Sequence, residues 1–242
     1  MDIGEQMLLS GAEVHRVEES IERMCAAFGA VRTDVFTITS NISATVYMEN
    51  GEYYSQTRRI KTSGTDFEMI HRMNELCRRI SAGGMTVDEI REELKKASDH
   101  KRYPLWTEFV FYSVIAGAFT LFFGGGYIET AVSFVIGALV RLGLLLAEKT
   151  ISNKVFPKFF GSVVASVFAF AALKFKLIPD VDKVIIGNIM SLIPGIGLTN
   201  AMRDLFTGDS IAGVLRTIEA LLTALAIAAG YFVVALLWEA FI

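Results

Sequence analysis

One short stretch of the sequence places polar and charged side chains at helical spacing. Asn200, Arg203 and Asp204 are three and four positions apart, so they share one face of a predicted helix. Arg216 and Glu219 share a face of the next predicted helix, and the turn between the helices would bring the two faces together. An arginine can hold a carboxylate through two parallel hydrogen bonds, and a carboxylate can hold an ammonium group or a proton. The pattern therefore predicts a site for a small anionic or zwitterionic substrate.

A predicted helix break directly precedes this cluster. Pro194 lacks an amide hydrogen, and Gly195 and Gly197 weaken a helix, so the run that begins at Ser191 should not form one continuous helix. A break at membrane depth leaves backbone groups unpaired, which is tolerated only beside protein or a water-filled cavity. Such breaks often mark binding sites in transporters, which favours the hypothesis of a substrate site.

Several of these residues also have a purely structural interpretation. Arg203 and Asp204 could be solvated side chains at a membrane boundary, and Asp209 could only cap the helix that follows it. Pro194 and Gly195 could form a packing kink that binds no ligand. Sequence alone leaves both interpretations open.

The remaining charged candidates are equally open. Arg216 and Glu219 could form a structural ion pair between helices. Arg141 lies in the middle of a predicted membrane span, where a cation is costly and usually has a partner. The sequence contains no pair of nucleophile and base, no metal-ligand cluster and no nucleotide motif, which predicts a protein that is not an enzyme and binds no cofactor or metal.

Charge and hydropathy divide the chain into two parts. The first 104 residues carry 14 basic and 17 acidic side chains, whereas the rest of the 242-residue chain carries 9 and 9. With 52% hydrophobic residues and a mean hydropathy of +0.45, the chain is too apolar for a purely soluble enzyme. The net charge of −3, without a basic tail, argues against nucleic acid as a partner. Cys25 and Cys77 have no metal-ligand spacing and are predicted to be reduced, buried thiols.

The polar part, residues 1–104, is predicted to be a small α+β domain. The N-terminus has neither a basic region nor an apolar run, so we expect no signal peptide and a cytoplasmic domain. Asn50-Gly51 suits a two-residue hairpin turn, and Thr86 with Glu89 suits a capping box. The predicted elements are a helix over Gly4–Phe28, strands over Arg32–Thr39, Ile42–Glu49 and Glu52–Ile60, and helices over Asp66–Ile80 and Thr86–Ser98.

The apolar part, residues 105–242, is predicted to contain five transmembrane helices. Runs of about 20 apolar residues are long enough to cross the hydrocarbon core of a bilayer. The predicted spans are Phe109–Ile128, Ile128–Ala147, Phe159–Leu173, Val184–Met202 and Ala220–Trp238. Basic residues are more numerous on the side of the N-terminal domain, which favours the cytoplasm for that side. They are Lys101, Arg102, Lys149, Lys154, Lys158, Arg203 and Arg216.

Two segments resemble the threonine/serine exporter family. The more specific is PGIGLTNAMRDLFTGDSIAGVLRTIEALL, Pro194 to Leu222, which is similar to the family signature near the fourth and fifth spans. The second is LLSGAEVHRVEESIERMCAAFG, Leu8 to Gly29, which resembles the opening helix of the family. The resemblance implies a cytoplasmic domain joined to a membrane domain, and export of small amino acids driven by the proton motive force.

Because the chain ends at Ile242 without a second membrane half, it looks like the large subunit of the split form of the family. The resemblance then implies a partner, a small multi-span membrane protein, and either threonine/serine-type amino acids or succinate-type dicarboxylates as substrates. It also implies the cytoplasmic (inner) membrane as the location, and a homo-oligomer is possible. The predicted substrate-binding residues are Pro194, Gly195, Gly197, Thr199, Asn200, Arg203 and Asp204, and the predicted coupling or ion-pair residues are Arg141, Asp209, Arg216 and Glu219.

Two other functions compete with the exporter hypothesis. A membrane scaffold or sensor, whose cytoplasmic domain binds a soluble partner, would show no substrate flux. An intramembrane enzyme would need a nucleophile or a metal cluster at membrane depth, and the sequence offers neither.

Overall fold

The structure, a computed structural model, describes residues 1–99, 103–150 and 153–241. Lys101 and Arg102 of the predicted basic set lie outside the described residues. The elements in chain order are α1(Asp2–Leu9), α2(Val14–Ala27), β1(Ala30–Ile38), β2(Asn41–Met48), β3(Tyr53–Arg59), α3(Phe67–Ser81), α4(Val87–Ser98), α5(Leu105–Phe122), α6(Tyr127–Thr150), α7(Val155–Lys174), α8(Asp182–Ile189), α9(Gly195–Thr207) and α10(Ser210–Phe241). They form two compact units, one of Met1–Lys101 with Ile196–Thr217 and one of Arg102–Gly195 with Ile218–Ile242.

The predicted first helix, Gly4–Phe28, is wrong as a single element, because the chain breaks between α1 and α2. The Gly11 amide donates to the carbonyl of Leu8 at 3.1 Å, and the Ala12 amide donates to that of Met7 at 3.0 Å. This pair of bonds is the Schellman pattern that ends a helix, and it needs a left-handed residue after the cap. Gly11 supplies that residue with a φ of +87°. The apolar stripe continues through both helices, so periodicity alone did not reveal the break.

The three predicted strands form one antiparallel sheet with the order β1-β2-β3. The predicted hairpin between β2 and β3 is confirmed, but its turn is not the predicted two-residue one. Residues 49–51 form a three-residue loop, closed by the Met48 amide donating to the Glu52 carbonyl at 2.9 Å, and Gly51 supplies the positive φ of +83°. Ile42 and Ala44 on the central strand are buried, and Ser43 and Thr45 on its other face pair with hydroxyls of β3. One face of the sheet therefore covers the core, and the other is polar.

The core of the first unit gathers apolar side chains from the helices and the sheet. Met7, Val14, Val17, Ile42 and Met73 are completely buried there. The predicted capping box of α4 is present, because Thr86 and Glu89 exchange hydrogen bonds between side chain and backbone. Cys77 is buried and Cys25 is half-buried, both as free thiols. Burial raises the pKa of the Cys77 thiol to about 11.

The first unit also contains α9 from Ile196 onward and the first two turns of α10. Ala212 on α10 is 1% exposed and belongs to the same apolar core as Met7 and Val14. A segment distant in sequence thus completes the packing of this unit.

Among the described residues, four helices are long and apolar enough to cross a membrane. They are Leu105–Phe122, Tyr127–Thr150, Val155–Lys174 and Ser210–Ala240. The predicted fourth span, Val184–Met202, differs from the structure, because its residues lie in α8 and α9, helices of 8 and 13 residues. Met190 to Pro194 separates them, and Pro194 cannot donate the backbone hydrogen bond that a continuous helix requires.

Helix α8 packs against α5 at the level of the backbone. A Cβ atom on Gly187 would lie 2.1 Å from the hydroxyl oxygen of Thr120, 2.7 Å from its backbone nitrogen and 2.9 Å from the carbonyl oxygen of Ala116. Only glycine fits this approach, because two of the three neighbouring atoms belong to the backbone and cannot rotate away.

We expect Gly187→Ala to destabilise the membrane unit by about 1–3 kcal/mol, the usual cost of overpacking a tight contact. The measurement is the thermal unfolding midpoint of the purified full-length protein in detergent. Gly195→Ala is the matched control, since a Cβ there meets nothing within 4 Å. Equal midpoints for the two variants would contradict the close approach of α5 and α8.

Candidate functional site

The loop between α1 and α2, residues Ser10 to Glu13, presents backbone carbonyls to the rest of the first unit. The amides of Gly64 and Asp66 donate to the carbonyls of Leu9 and Ser10 at 2.7 and 3.0 Å. The next two carbonyls, of Gly11 and Ala12, accept instead from side chains of α9 and α10. The end of α1 therefore satisfies its carbonyls by joining two segments far apart in sequence.

The polar face of α9 lies against this loop. Asn200 donates its side-chain amide to the Gly11 carbonyl at 3.3 Å, and Arg203 forms an ion pair and hydrogen bond with the Glu13 carboxylate. The Arg203 side chain is 55% exposed, whereas that of Glu13 is 17% exposed. The guanidinium end of the pair is therefore accessible to another anion, whereas its carboxylate partner is half-buried.

Arg216 joins α10 to both α9 and the loop. Its guanidinium donates to the Ala12 carbonyl at 2.8 Å, and its Nε lies 3.4 Å from a carboxylate oxygen of Asp204. The side chains of Arg216 and Asp204 are only 12% and 1% exposed. The turn that contains Gly208, with a φ of +100°, thus brings Asp204 and Arg216 together.

The Asp204 carboxylate is buried without hydrogen bonds from the described residues that would offset the cost of removing its charge from water. Neither of its oxygens accepts a hydrogen bond of good geometry within the described part of the chain. Burial raises the pKa of Asp204 above its ordinary value of 3.8, while the Arg216 guanidinium and the Val14 amide act in the opposite direction. The negative charges of Asp209 and Glu13 raise the pKa of Asp204 further. This carboxyl is therefore suited to take up a proton.

A second carboxyl of the same unit has a raised pKa. Burial raises the pKa of Glu18 above 4.5, although its oxygen accepts a 2.6 Å hydrogen bond from the Thr37 amide. The charge of Asp209 also raises the pKa of Glu18, so Asp209 acts on both acids. Asp209 is half-buried, and Thr207 lies 3.5 Å from its carboxylate. The negative charge of Asp209 therefore favours proton binding by both Asp204 and Glu18.

The other predicted substrate-binding residues lie at the start of α9. Pro194 precedes the helix and Gly195 begins it, and both are assigned to the second unit. Gly197 and Thr199 are exposed in the first two turns, in the first unit. Two of the seven residues predicted to bind substrate, Asn200 and Arg203, contact the 10–13 loop. A third, Asp204, pairs with Arg216.

Arg141 and Glu219 belong to the second unit. The Arg141 side chain is 10% exposed and donates from Nε to Glu108 at 2.7 Å, with Glu148 at 3.4 Å. Its guanidinium also lies 5.7 Å from the centre of the Tyr112 ring, a cation–π contact. Arg141 therefore has ion-pair partners within its own unit. Glu219 is exposed on α10, and among the described residues Arg216 pairs with Asp204 rather than with Glu219.

Sequence reasoning missed the residues of the 10–13 loop that contact α9 and α10. Gly11 and Ala12 contribute carbonyls and Glu13 contributes a carboxylate, although none of them was a predicted site residue. The available signal was the small-residue run Ser10-Gly11-Ala12, whose glycine is suited to end a helix. Within the described residues no group of three or more His, Cys, Asp or Glu side chains is placed to hold a metal ion.

Comparisons with known proteins agree on one family. The family model described as "Putative threonine/serine exporter" matches residues 1–238. Similar proteins include a "Probable threonine/serine exporter" of Mycobacterium tuberculosis, 25% identical over 96% of this chain and 44% of its own length. A "Threonine/serine exporter" of Corynebacterium glutamicum is 23% identical over 94% of this chain and 48% of its own length.

A third relative differs in length and in the substrate it is named for. The "Probable succinate transporter subunit YjjP" of Klebsiella aerogenes is 24% identical over 96% of this chain and 90% of its own length. The chain therefore spans about half the length of the two exporters and nearly all of the subunit. No solved structure matches the chain.

Proposed function

Since the chain belongs to the threonine/serine exporter family, we propose that it is a subunit of a secondary transporter that exports small carboxylate-bearing metabolites. Four long apolar helices in the described part of the chain, together with this membership, support an integral membrane protein. The observation that carries the proposal is the contact of the 10–13 loop with Asn200, Arg203 and Arg216, which gathers carboxylate-binding groups in one place. The proposed substrates are threonine- or serine-type amino acids, or dicarboxylates such as succinate.

In the proposed site, Arg203 and Asn200 bind the substrate carboxylate. Arg203 is exposed and presents a planar guanidinium, which binds carboxylates in a bidentate fashion. Glu13 is its partner in the absence of substrate, so an incoming carboxylate replaces one anion by another. Gly197 and Thr199, exposed on the same helix, would complete the approach to the site.

Proton coupling is assigned to the acidic residues near Arg216. Asp204 is the first candidate, since burial raises its pKa and its protonation would free Arg216 from its ion pair. Asp209 would set the affinity for the proton through its charge, and Glu219 on α10 is the proposed carboxyl of the membrane unit. We propose the proton motive force as the driving force. Arg141, paired with Glu108 and Glu148, would stabilise the membrane unit.

A second membrane protein is the proposed partner. The two exporters are about twice as long as the segment that matches this chain, and the relative of similar length is named a subunit. We propose that a small multi-span protein supplies the other half, that both reside in the cytoplasmic (inner) membrane, and that the N-terminal domain lies in the cytoplasm.

Export from cells that lack their own exporters tests the proposal. Efflux of threonine, serine and succinate would be followed with this chain alone and with its candidate small partner. Flux that requires both chains is the expected result, and the ranking of the three substrates identifies the class. Absence of flux for all three, with both chains present in the membrane, would instead favour a scaffold or sensor.

Arg203→Ala should reduce export by about 10- to 100-fold, since hydrogen bonds to charged groups contribute roughly 1.5–3 kcal/mol. Glu13→Gln is the matched control, because it removes the same ion pair but leaves the guanidinium available. We expect Glu13→Gln to retain export, with an unchanged or lower KM. Equal loss in both variants would show that Arg203 acts only through Glu13, and would remove it from the substrate site.

A further inference from the structure

Strand β3 is an open edge of the sheet in the first unit. Six of its seven residues are exposed, including Tyr53 at 69% and Tyr54 at 61%. In the described part of the chain, the backbone hydrogen bonds of residues 53–59 go to β2 alone. An edge with unpaired amides and carbonyls can bind a further strand.

The opposite edge, β1, is protected in ways that β3 is not. Its register shifts between Ala30 and Arg32, an irregularity that disturbs further pairing. Asp34 lies near the middle of β1, so pairing of two β1 strands around this residue would bring two carboxylates face to face. Helix α2 also packs on this strand, and its Glu18 carboxylate accepts a hydrogen bond from the Thr37 amide. The two edges therefore differ in their capacity to pair.

The sequence of β3, Tyr-Tyr-Ser-Gln-Thr-Arg-Arg, is complementary to itself when reversed. An antiparallel copy centred on Gln56 would place Tyr53 opposite Arg59 and Tyr54 opposite Arg58. Ser55 would then face Thr57, and Gln56 would face its own copy. Aromatic rings attract guanidinium groups, hydroxyls pair across strands, and no two like charges meet.

We propose that β3 is a homodimer interface, in which the β3 strands of two copies of this chain pair around a two-fold axis at Gln56. A two-fold interface requires such self-complementarity, since residue i must fit residue j and j must fit i. The register centred on Gln56 is also the one that pairs all seven residues of the strand. This register also keeps each face of the sheet continuous across the two copies. Residues 53, 55, 57 and 59 of the polar face pair among themselves, and residues 54, 56 and 58 of the other face do the same. The two sheets become one sheet of six strands.

Arginines at the end of an edge strand ordinarily discourage pairing with other strands. Here an antiparallel second copy brings its tyrosines to the arginine end and keeps the two pairs of arginines apart. Arg58 is partly fixed in place by ion pairs with Asp2 at 2.9 Å and Glu5 at 3.8 Å. The arrangement therefore favours a second copy over an unrelated strand.

Disulfide cross-linking of the full-length chain in native membranes tests this register. Directly opposite residues of an antiparallel pair have Cα atoms about 4.5–5.5 Å apart, within the range of about 4.4–6.8 Å that a disulfide spans, whereas diagonal neighbours are about 7–8 Å apart. Gln56→Cys should therefore form a covalent dimer under mild oxidation. Ser55→Cys is the matched control from the same strand, since each Ser55 would face Thr57, and the unmodified chain controls for Cys25 and Cys77.

A charge exchange at the same position provides a second measurement. Gln56→Asp should lower co-purification of two differently tagged copies by about tenfold or more, because like charges placed together at an interface cost several kcal/mol. Gln56→Lys should do the same, and co-expression of the two variants should restore association. A Gln56→Cys protein that forms no more dimer than Ser55→Cys, or charge variants whose mixture fails to reassociate, would overturn the proposal. Neither measurement depends on export.

Discussion

Replacing Asp204 by alanine is expected to destabilise the first unit by about 3–5 kcal/mol, the usual cost of removing one partner of a buried ion pair. Arg216 would be left 12% exposed, with the Ala12 carbonyl as its remaining described partner. Because Arg216 also holds the loop that presents Glu13, the loss extends to the substrate site. The measurements are the unfolding midpoint in detergent and the fraction of folded protein recovered from membranes.

The double variant Asp204→Ala with Arg216→Met separates the charge effect from the cavity. An apolar replacement of both partners removes the unpaired charge, so we expect it to recover most of the lost stability. Arg78→Ala provides the matched control, since Arg78 and Glu75 form an ion pair whose side chains are 62% and 53% exposed. That variant should change stability by less than about 1 kcal/mol. A double variant as unstable as Asp204→Ala would show that packing, rather than the unpaired guanidinium, determines the cost.

Elements defined by local periodicity were predictable from the sequence. The strands, α3 and α4 lie within two residues of their predicted bounds, since alternation, caps and turn residues all act over short distances. The single helix over Gly4–Phe28 was wrong because its apolar stripe is shared by two helices, and the Gly11 break depends on backbone conformation. The break in the Val184–Met202 span was predictable from Pro194 and Gly195, but its consequence for the span was not. The two parts are helices of 8 and 13 residues, each shorter than the ~20 residues that cross a bilayer.

Of the proposed site, the polar face of α9 was predictable from the sequence, but the loop that it contacts was not. The spacing of Asn200, Arg203 and Asp204 defines a polar face without any knowledge of the fold. What that face contacts depends on tertiary packing over some 190 residues, which brings the 10–13 loop against α9. The partner of Arg216 illustrates the limit. Glu219 is its neighbour along the helix, but the structure pairs it with Asp204 across a turn.

Asp204→Asn should abolish the pH dependence that arises from this carboxyl, in both stability and export. The asparagine has nearly the shape of the protonated acid and cannot ionise. Its side-chain oxygen can still accept a hydrogen bond from Arg216, so the fold should persist where Asp204→Ala fails. The pKa of Asp204 is raised in the folded state, so above 3.8 the folded protein holds this proton more tightly than the unfolded chain. Stability from this group is therefore fully present at low pH and is lost as the pH rises through the folded pKa.

The difference in unfolding midpoint between Asp204→Asn and the unmodified protein should thus grow as the pH rises from about 4 and become constant above the folded pKa. Glu18→Gln is the matched control, since the pKa of Glu18 is also raised and it lies outside the Arg216 pair. In export, Asp204→Asn should remove the response to an imposed pH gradient, whereas Glu18→Gln should retain it. If Asp204→Asn still responds to the gradient, the coupling proton is carried elsewhere, and Glu219 becomes the carboxyl to test.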